Sequence, residues 1–590
     1  MEALSELESH ALGKRPAVEP LPPSSSFEPA KRPRGPSAAQ LLAEAERELE
    51  RSQVEVDVMD ANSLKRLILH IEKQINQNMQ LRMKYADQPE RFMDSEVELF
   101  QALKGLHAIA AAPELYPVFV KTRCVPSLIG LLAHENADIS ADVLDLLQEM
   151  TGAEDAAPED LLVLVDALLE HEAAASLASH MQRLNEAEED EAAAVHSTLS
   201  VFESVLEARP DTSVELAQKA GLLTWLLQRV KQRGFHAIKL YASELLSLLL
   251  QQNAANQEYL GEQCDGILGL LSAVAQYKRK EPQDLEEAEL IENLFNCLAS
   301  ALERPSNQHL FLRAEGIELM VLTLKERKYA ARGALRVLDA ALASNGANAE
   351  RFADIRGFKT LFPLLGGAPP PPPPFAKGRG EREAAQRDHD SHVVSVLGTL
   401  FHQLEDERRQ RLHGKFAEEE AAKIETLLAM RGAYETHVAA AEEAAAEVAD
   451  DVDDDDDDDE KPTAEERIYL ARLEAGLTTL HLIDTILGYL ATSRAKPLRV
   501  GVLQGLYAQG RSLHDVAGHV LEYIRIGLGS SSGATAGGAG ASGPSTASAP
   551  SSASNRPPDS KREEQMGRMA EAVKALLLKY EQPAKTAEAP

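Results

Sequence analysis

The sequence predicts an all-α protein built as a stack of helical repeats, and three observations predict it. Leu, Ala and Glu dominate a chain of 590 residues that is 44% hydrophobic, 5% aromatic and carries one Trp, the mix that straight-chain helix formers give. From about Asn62 to Leu365 apolar residues recur three and four apart, as Leu64, Leu67, Ile68, Ile71 and Ile75 do, and strand alternation is nearly absent. Inside that stretch a phrase recurs, in which a helix ends near an Asn and a Gly roughly nine residues later opens a new apolar run.

Asn256 leads to Gly266, Asn307 to Gly316 and Asn348 to Gly357; Gly221 opens an earlier copy, and Val125 stands where the Gly would be in the first. The Gly-to-Gly steps of 45, 50 and 41 residues match the roughly 40–47 of armadillo and HEAT repeats. A single helix pair or triplet cannot bury its apolar face alone, whereas stacked neighbours complete a continuous core. The expected fold is therefore an armadillo/HEAT-like right-handed α-solenoid with a disordered N-terminal arm, internal low-complexity insertions and a C-terminal helix.

Taken in order, residues 1–37 are Pro- and Ser-rich and read as a disordered basic arm. Its two clusters, Lys14-Arg15 and Lys31-Arg32-Pro33-Arg34, have the spacing of a two-part nuclear localisation signal, which places the protein in the nucleus. Residues 38–60 turn to helix formers and predict a charged helix, and 61–368 hold the repeats. The six prolines from Pro369 to Pro374 must be extended and make 369–391 a loop. Helical repeats continue over 392–448, and the Asp453–Asp459 run makes 449–463 an acidic disordered insertion. Helices return over 464–526, 527–560 is a Gly/Ser/Ala linker, and 561–582 is an amphipathic helix expected to cap the stack.

The 94 acidic residues outnumber the 61 basic ones, for a net charge of −33. Such a chain repels phosphates, so no direct contact with nucleic acid is expected and a basic partner is. Cys124, Cys264 and Cys297 are too sparse for a disulfide framework or a Cys-rich zinc site. No apolar run approaches the roughly 18 residues of a membrane span, so no membrane partner is expected. His389 and His392, beside Asp388 and Asp390, are the nearest thing to a metal cluster and read as solvated loop residues. Phosphate-binding, dinucleotide, nucleophile-elbow and zinc-protease motifs are all missing, which argues for a protein that is not an enzyme and needs no cofactor.

What remains is a binding surface. In an armadillo repeat the third helix lines the concave groove, and here those helices fall at 139–151, 195–208, 239–252, 290–302 and 332–344. Residues two before the first core Leu of each point into the groove, which nominates Asp142, Glu244, Asn296 and Arg336; Asp145, Glu149, Glu203, Glu292 and Asn293 join that face one turn away. The pattern reads as an acidic groove for an extended Lys/Arg peptide held by charge-assisted pairs.

The segment 78–96, NMQLRMKYADQPERFMDSE, is the most specific text in the chain. With PELYPVFV (113–120), SLIGLLAHENADISADVLDLLQEMTG (127–152), KLYASELLSLLLQQNAANQEYLGE, HGKFAEEEAAKIETLL and ERIYLARLEAGLTTLHLI (466–483), it closely resembles the β-catenin-like family of nuclear armadillo proteins. The resemblance covers roughly residues 55–530 apart from loops. It implies a spliceosome-associated scaffold of the Prp-nineteen complex. Its partners would be basic, nuclear-localisation-type segments of splicing proteins, including that complex's Myb-domain subunit, with self-association left open. A transport adaptor of the importin-α type is the alternative. Those adaptors carry a ladder of groove Trp residues, whereas Trp225 stands alone here and in an opening helix.

Overall fold

The computed structural model describes residues 59–370, 379–418, 422–450 and 463–529, apart from 154 and 344, together with 567, 571, 574 and 575. The localisation clusters, nearly all of 38–60, the Asp run, the Gly/Ser/Ala linker and most of the 561–582 segment lie outside the described residues. No strand occurs among the described residues.

The recurring Asn and Gly have separate physical jobs. Asn256, Asn307 and Asn348 sit fully buried in the first helices of three repeats, Ala254–Gln263, Pro305–Arg313 and Gly346–Asp354. Each turns its Nδ2 back onto the preceding third helix, donating to Leu249 O at 2.9 Å, Ala301 O at 2.8 Å and Ala341 O at 2.8 Å. The last carbonyls of a helix have no partner within it, so a buried amide at this place closes one repeat and starts the next. Gly266, Gly316 and Gly357 open the second helices, Gly266–Ala275, Gly316–Glu326 and Gly357–Leu361. A Cβ on any of them would come within 2.3–2.5 Å of Leu260, Phe311 or Phe352, so only Gly lets the second helix lie against the first. The left-handed turn between the two helices is made one residue earlier, by Asp265, Glu315 and Arg356, with φ of 49°, 57° and 66°.

Third helices form one continuous row, each packed on the next: α1 (Met93–Leu106), α2 (Ala137–Thr151), α3 (Glu189–Ala208), α4 (Ala237–Leu250), α5 (Leu285–Ala301), α6 (Ala331–Leu342), α7 (Arg379–Gln403) and α8 (Leu477–Thr492). First and second helices build their own parallel rows beside it. Leu, Ile, Val and Phe side chains from all three rows fill one core, with Leu245, Leu246, Leu294, Phe295, Leu335 and Leu338 nearly inaccessible. This is an all-α solenoid of armadillo/HEAT type, as the repeat spacing implies. Gly333 of α6 shows how tightly the row packs: a Cβ there would stand 2.3 Å from Phe295 Cγ of α5.

One boundary is corrected. The 369–391 loop ends earlier than its composition suggests, because α7 already begins at Arg379. The polar text RGEREAAQRDHDSH is the first half of a 25-residue helix whose later half, VVSVLGTLF, is core. Beyond it, Asp406–Ala417 and Ala422–Asp450 follow, and α9 (Leu513–Gly529) packs on α8.

Candidate partner-binding face

The third-helix row carries an acidic stretch from α2 to α5. Glu203 of α3 and Glu289 of α5 each lie close enough to Glu244 of α4 to repel it. Burial, then the charges of Glu289 and Glu203, push the half-buried Glu244 carboxyl above its ordinary range. No cation forms an ion pair with Glu244 or Glu289 among the described residues. Asp145 presents an exposed side to solvent on α2, and partial desolvation by its neighbours is the chief cause that raises its carboxyl, with Asp142 and Glu149 adding to it and Lys104 and His107 opposing. Carboxylates held in repulsion without counter-ions gain most from an incoming cation.

The other nominated residues are more occupied. Asp142 does not face the open groove: its side chain is 1% exposed, with Lys104 Nζ at 2.5 Å and His107 Nε2 at 3.3 Å from Oδ1. Its charge is already met by the Lys104 ammonium of α1. Glu149 takes His107 Nδ1 at 2.6 Å. Glu203 and Glu292 accept the hydroxyls of Tyr241 and Tyr329, each at 2.5 Å, which orients the carboxylates without removing their charge. Asn293 Nδ2 is buried with no hydrogen-bond partner among the described residues. Asn296 accepts from Arg336, whose guanidinium also lies 3.9 Å from Asp388. The row therefore changes character at α6, from free acid to paired charge.

His389 and His392 are corrected outright. Both are buried in α7, 4% exposed each, rather than solvated in a loop. His392 Nδ1 is 2.9 Å from Asp339 Oδ2 of α6 and Nε2 is 3.4 Å from Asp388 Oδ1. Ser395 Oγ donates to Asp339 Oδ1 at 2.6 Å. Burial alone would lower His392, but the two carboxylates outweigh it and hold the imidazole up at about 9. Its proton is thus bound more tightly folded than unfolded. The stabilisation is complete below about pH 6.5 and is lost as pH rises through about 9, by at most roughly 3 kcal/mol. His392→Gln should flatten that part of the stability–pH curve relative to the parent, measured by urea unfolding at half-unit steps; parallel curves would refute the assignment.

Glu289 escaped the sequence reading although it stands one turn before Asn293 and shares its face. Lys104 and His107 could not be found from sequence, because they meet Asp142 from 38 and 35 residues away. Trp225 is buried in the second helix Leu222–Val230 with the Arg229 guanidinium 4.4 Å above its ring, so it lines no groove slot.

The model of a family described as "Catenin-beta-like, Arm-motif containing nuclear" matches residues 39–522. The chain belongs to that family. Beta-catenin-like protein 1 of Homo sapiens is 38% identical over 479 residues, 80% of this chain and 83% of the human one. A homologue in Schizosaccharomyces pombe is 30% identical over 384 residues, 64% of each chain. The family match spans the acid-bearing helices and ends within α9, so the face and the helices that brace it are family territory.

Proposed function

We propose that the protein is a non-enzymatic nuclear scaffold of the pre-mRNA splicing machinery. Its third-helix row holds Lys/Arg-rich segments of partners in the Prp-nineteen-associated complex, including the Myb-domain subunit. The observation that carries this reading is the uncompensated cluster of Glu203, Glu244 and Glu289 on three adjacent helices. The family's description as nuclear supports the location. With the single Trp buried in a second helix, carboxylates supply most of the attraction. Each exposed pair contributes only about 0.2–1 kcal/mol, so several acting together reach micromolar affinity, near −8 kcal/mol.

The test is fluorescence anisotropy with a labelled Lys/Arg-rich peptide. Asp145→Arg, Glu244→Arg and Glu289→Arg together should weaken binding about 30-fold or more, from three lost pairs and three new repulsions. Helical content should stay unchanged, since all three side chains are at least partly solvated. Raising salt to about 1 M, where screening acts within roughly 3 Å, should mimic the reversals. Tight binding by the triple variant, or indifference to salt, would sink the acidic-face mechanism.

A further inference from the structure

The strongly negative net charge conceals a basic edge. Lys231, Lys278 and Lys325 stand at equal steps of 47 residues, and Arg233, Lys280 and Arg327 keep the same step. Each pair falls where a second helix ends and turns toward the third, after Leu222–Val230, Gly266–Ala275 and within the end of Gly316–Glu326. Contacts join the three turns. Gln276 Nε2 donates to Gln232 O at 3.4 Å, Arg279 Nε to Glu326 Oε1 at 2.8 Å, and Lys328 pairs with Glu281 at 3.2 Å. The basic turns thus form one continuous edge, with neighbours about 10 Å apart, the spacing of packed helices.

Some of these cations are spent locally: Arg279 on Glu326, Lys328 on Glu281, and Lys280 on Glu287 at 3.1 Å. Lys231, Arg233, Lys325 and Arg327 are exposed and Lys278 half-buried, and none of the five has an ion pair among the described residues. The first turn is rigidly shaped. Lys239, itself 2% exposed, donates from Nζ to Gln232 O at 2.7 Å and Gly234 O at 3.1 Å, and Gly234 takes a φ of 85°. That leaves Phe235 37% exposed beside Arg233. A row of solvated cations flanking an open aromatic ring suits a chain of phosphates with bases that can stack. An acidic peptide would use the cations but leave the ring idle.

We propose that this edge binds single-stranded nucleic acid through its phosphate backbone, with Phe235 stacking on a base. The rest of the protein repels phosphates, so binding is confined to the edge and depends steeply on salt. Five free cations engaging about three to five phosphates give a log–log salt slope of about −2 to −3.5 for a single strand.

The experiment is fluorescence anisotropy of the full chain with labelled U15, dT15 and a fifteen-residue Glu peptide at about 50 and 200 mM salt. Both oligonucleotides should bind, or U15 alone if the 2′-hydroxyl is read. Reversing Lys231, Arg233, Lys278, Lys325 and Arg327 to Glu should weaken binding at least about 30-fold, and Phe235→Ala about 5-fold or more. A control reversing Lys65, Arg66, Lys73, Lys121 and Arg123, which are exposed elsewhere, makes the same change in net charge. It should weaken binding much less. No oligonucleotide binding at low salt, or equal loss in the control, overturns the proposal. So does capture of the Glu peptide alone, which would make this a docking edge for an acidic protein. Should the five-fold variant lose helicity, Lys231→Glu with Arg233→Glu in one solvated turn gives the same reading.

Discussion

Arg431→Met is expected to destabilise the C-terminal third by about 3–5 kcal/mol, the usual cost of leaving a buried charge without its partner. Arg431, on the Ala422–Asp450 helix, and Asp484 of α8 both have fully inaccessible side chains. Arg431 Nε meets Asp484 Oδ1 at 2.7 Å and Nη2 meets Oδ2 at 3.3 Å, while Nη1 reaches Glu435 at 3.1 Å. His519 Nδ1 of α9 adds a contact to Asp484 Oδ2 at 2.5 Å. One carboxylate thus ties three helices together. Removing the guanidinium leaves it buried with one imidazole for company. Removing both ends, as Arg431→Met with Asp484→Leu, should recover most of the loss, because an apolar pair avoids the desolvation that the ions require. A solenoid opens locally, so hydrogen exchange should rise in 422–529 and change little in the 237–342 repeats. Uniform exchange changes along the whole chain, or a double variant as weak as the single, would count against this account.

The second large effect separates two acids one turn apart on α2. Asp142→Arg would place a guanidinium in a site with 1% side-chain exposure, against Lys104 and His107. The expected cost is about 3 kcal/mol or more, seen as a lower unfolding midpoint of the N-terminal repeats. Asp145→Arg, on the exposed side of the same helix, should change stability by no more than about 0.5 kcal/mol and act on peptide binding instead. Near-equal midpoints for the two variants would show that Asp142 is not the buried anchor described above.

The extent to which the face was legible follows from how each residue is held. Glu244 and Asp145 were recognisable because helical periodicity fixes which side of α4 and α2 they share, and both proved accessible. Glu289 was within reach of the same rule. Asp142 obeyed the rule too, yet a neighbouring helix covers it, and no periodicity within α2 reports what α1 brings. The DHDSH stretch misled for a related reason. Polar text reads as loop when each residue is weighed against water, but Asp339 and Asp388 supply the His392 ring with partners that make its burial tolerable.

The sequence by itself determined the helical class, the repeat length, the Asn and Gly positions and the acid-rich third helices. All of these are set by interactions within a few turns of chain or by a phrase that recurs along it. Only the tertiary structure decided which charges are free. Whether a carboxylate or a lysine meets solvent or a counter-ion depends on residues 38 to 53 positions away, as Lys104 with Asp142, Arg431 with Asp484 and His392 with Asp339 show. Charge sums are additive along a sequence, whereas pairing is a matter of distance in space, and Coulomb interactions of fixed sign change their consequence entirely with the burial of both partners. For that reason the same net charge of −33 accommodates an uncompensated acidic face and, on another edge of the same stack, an uncompensated basic one.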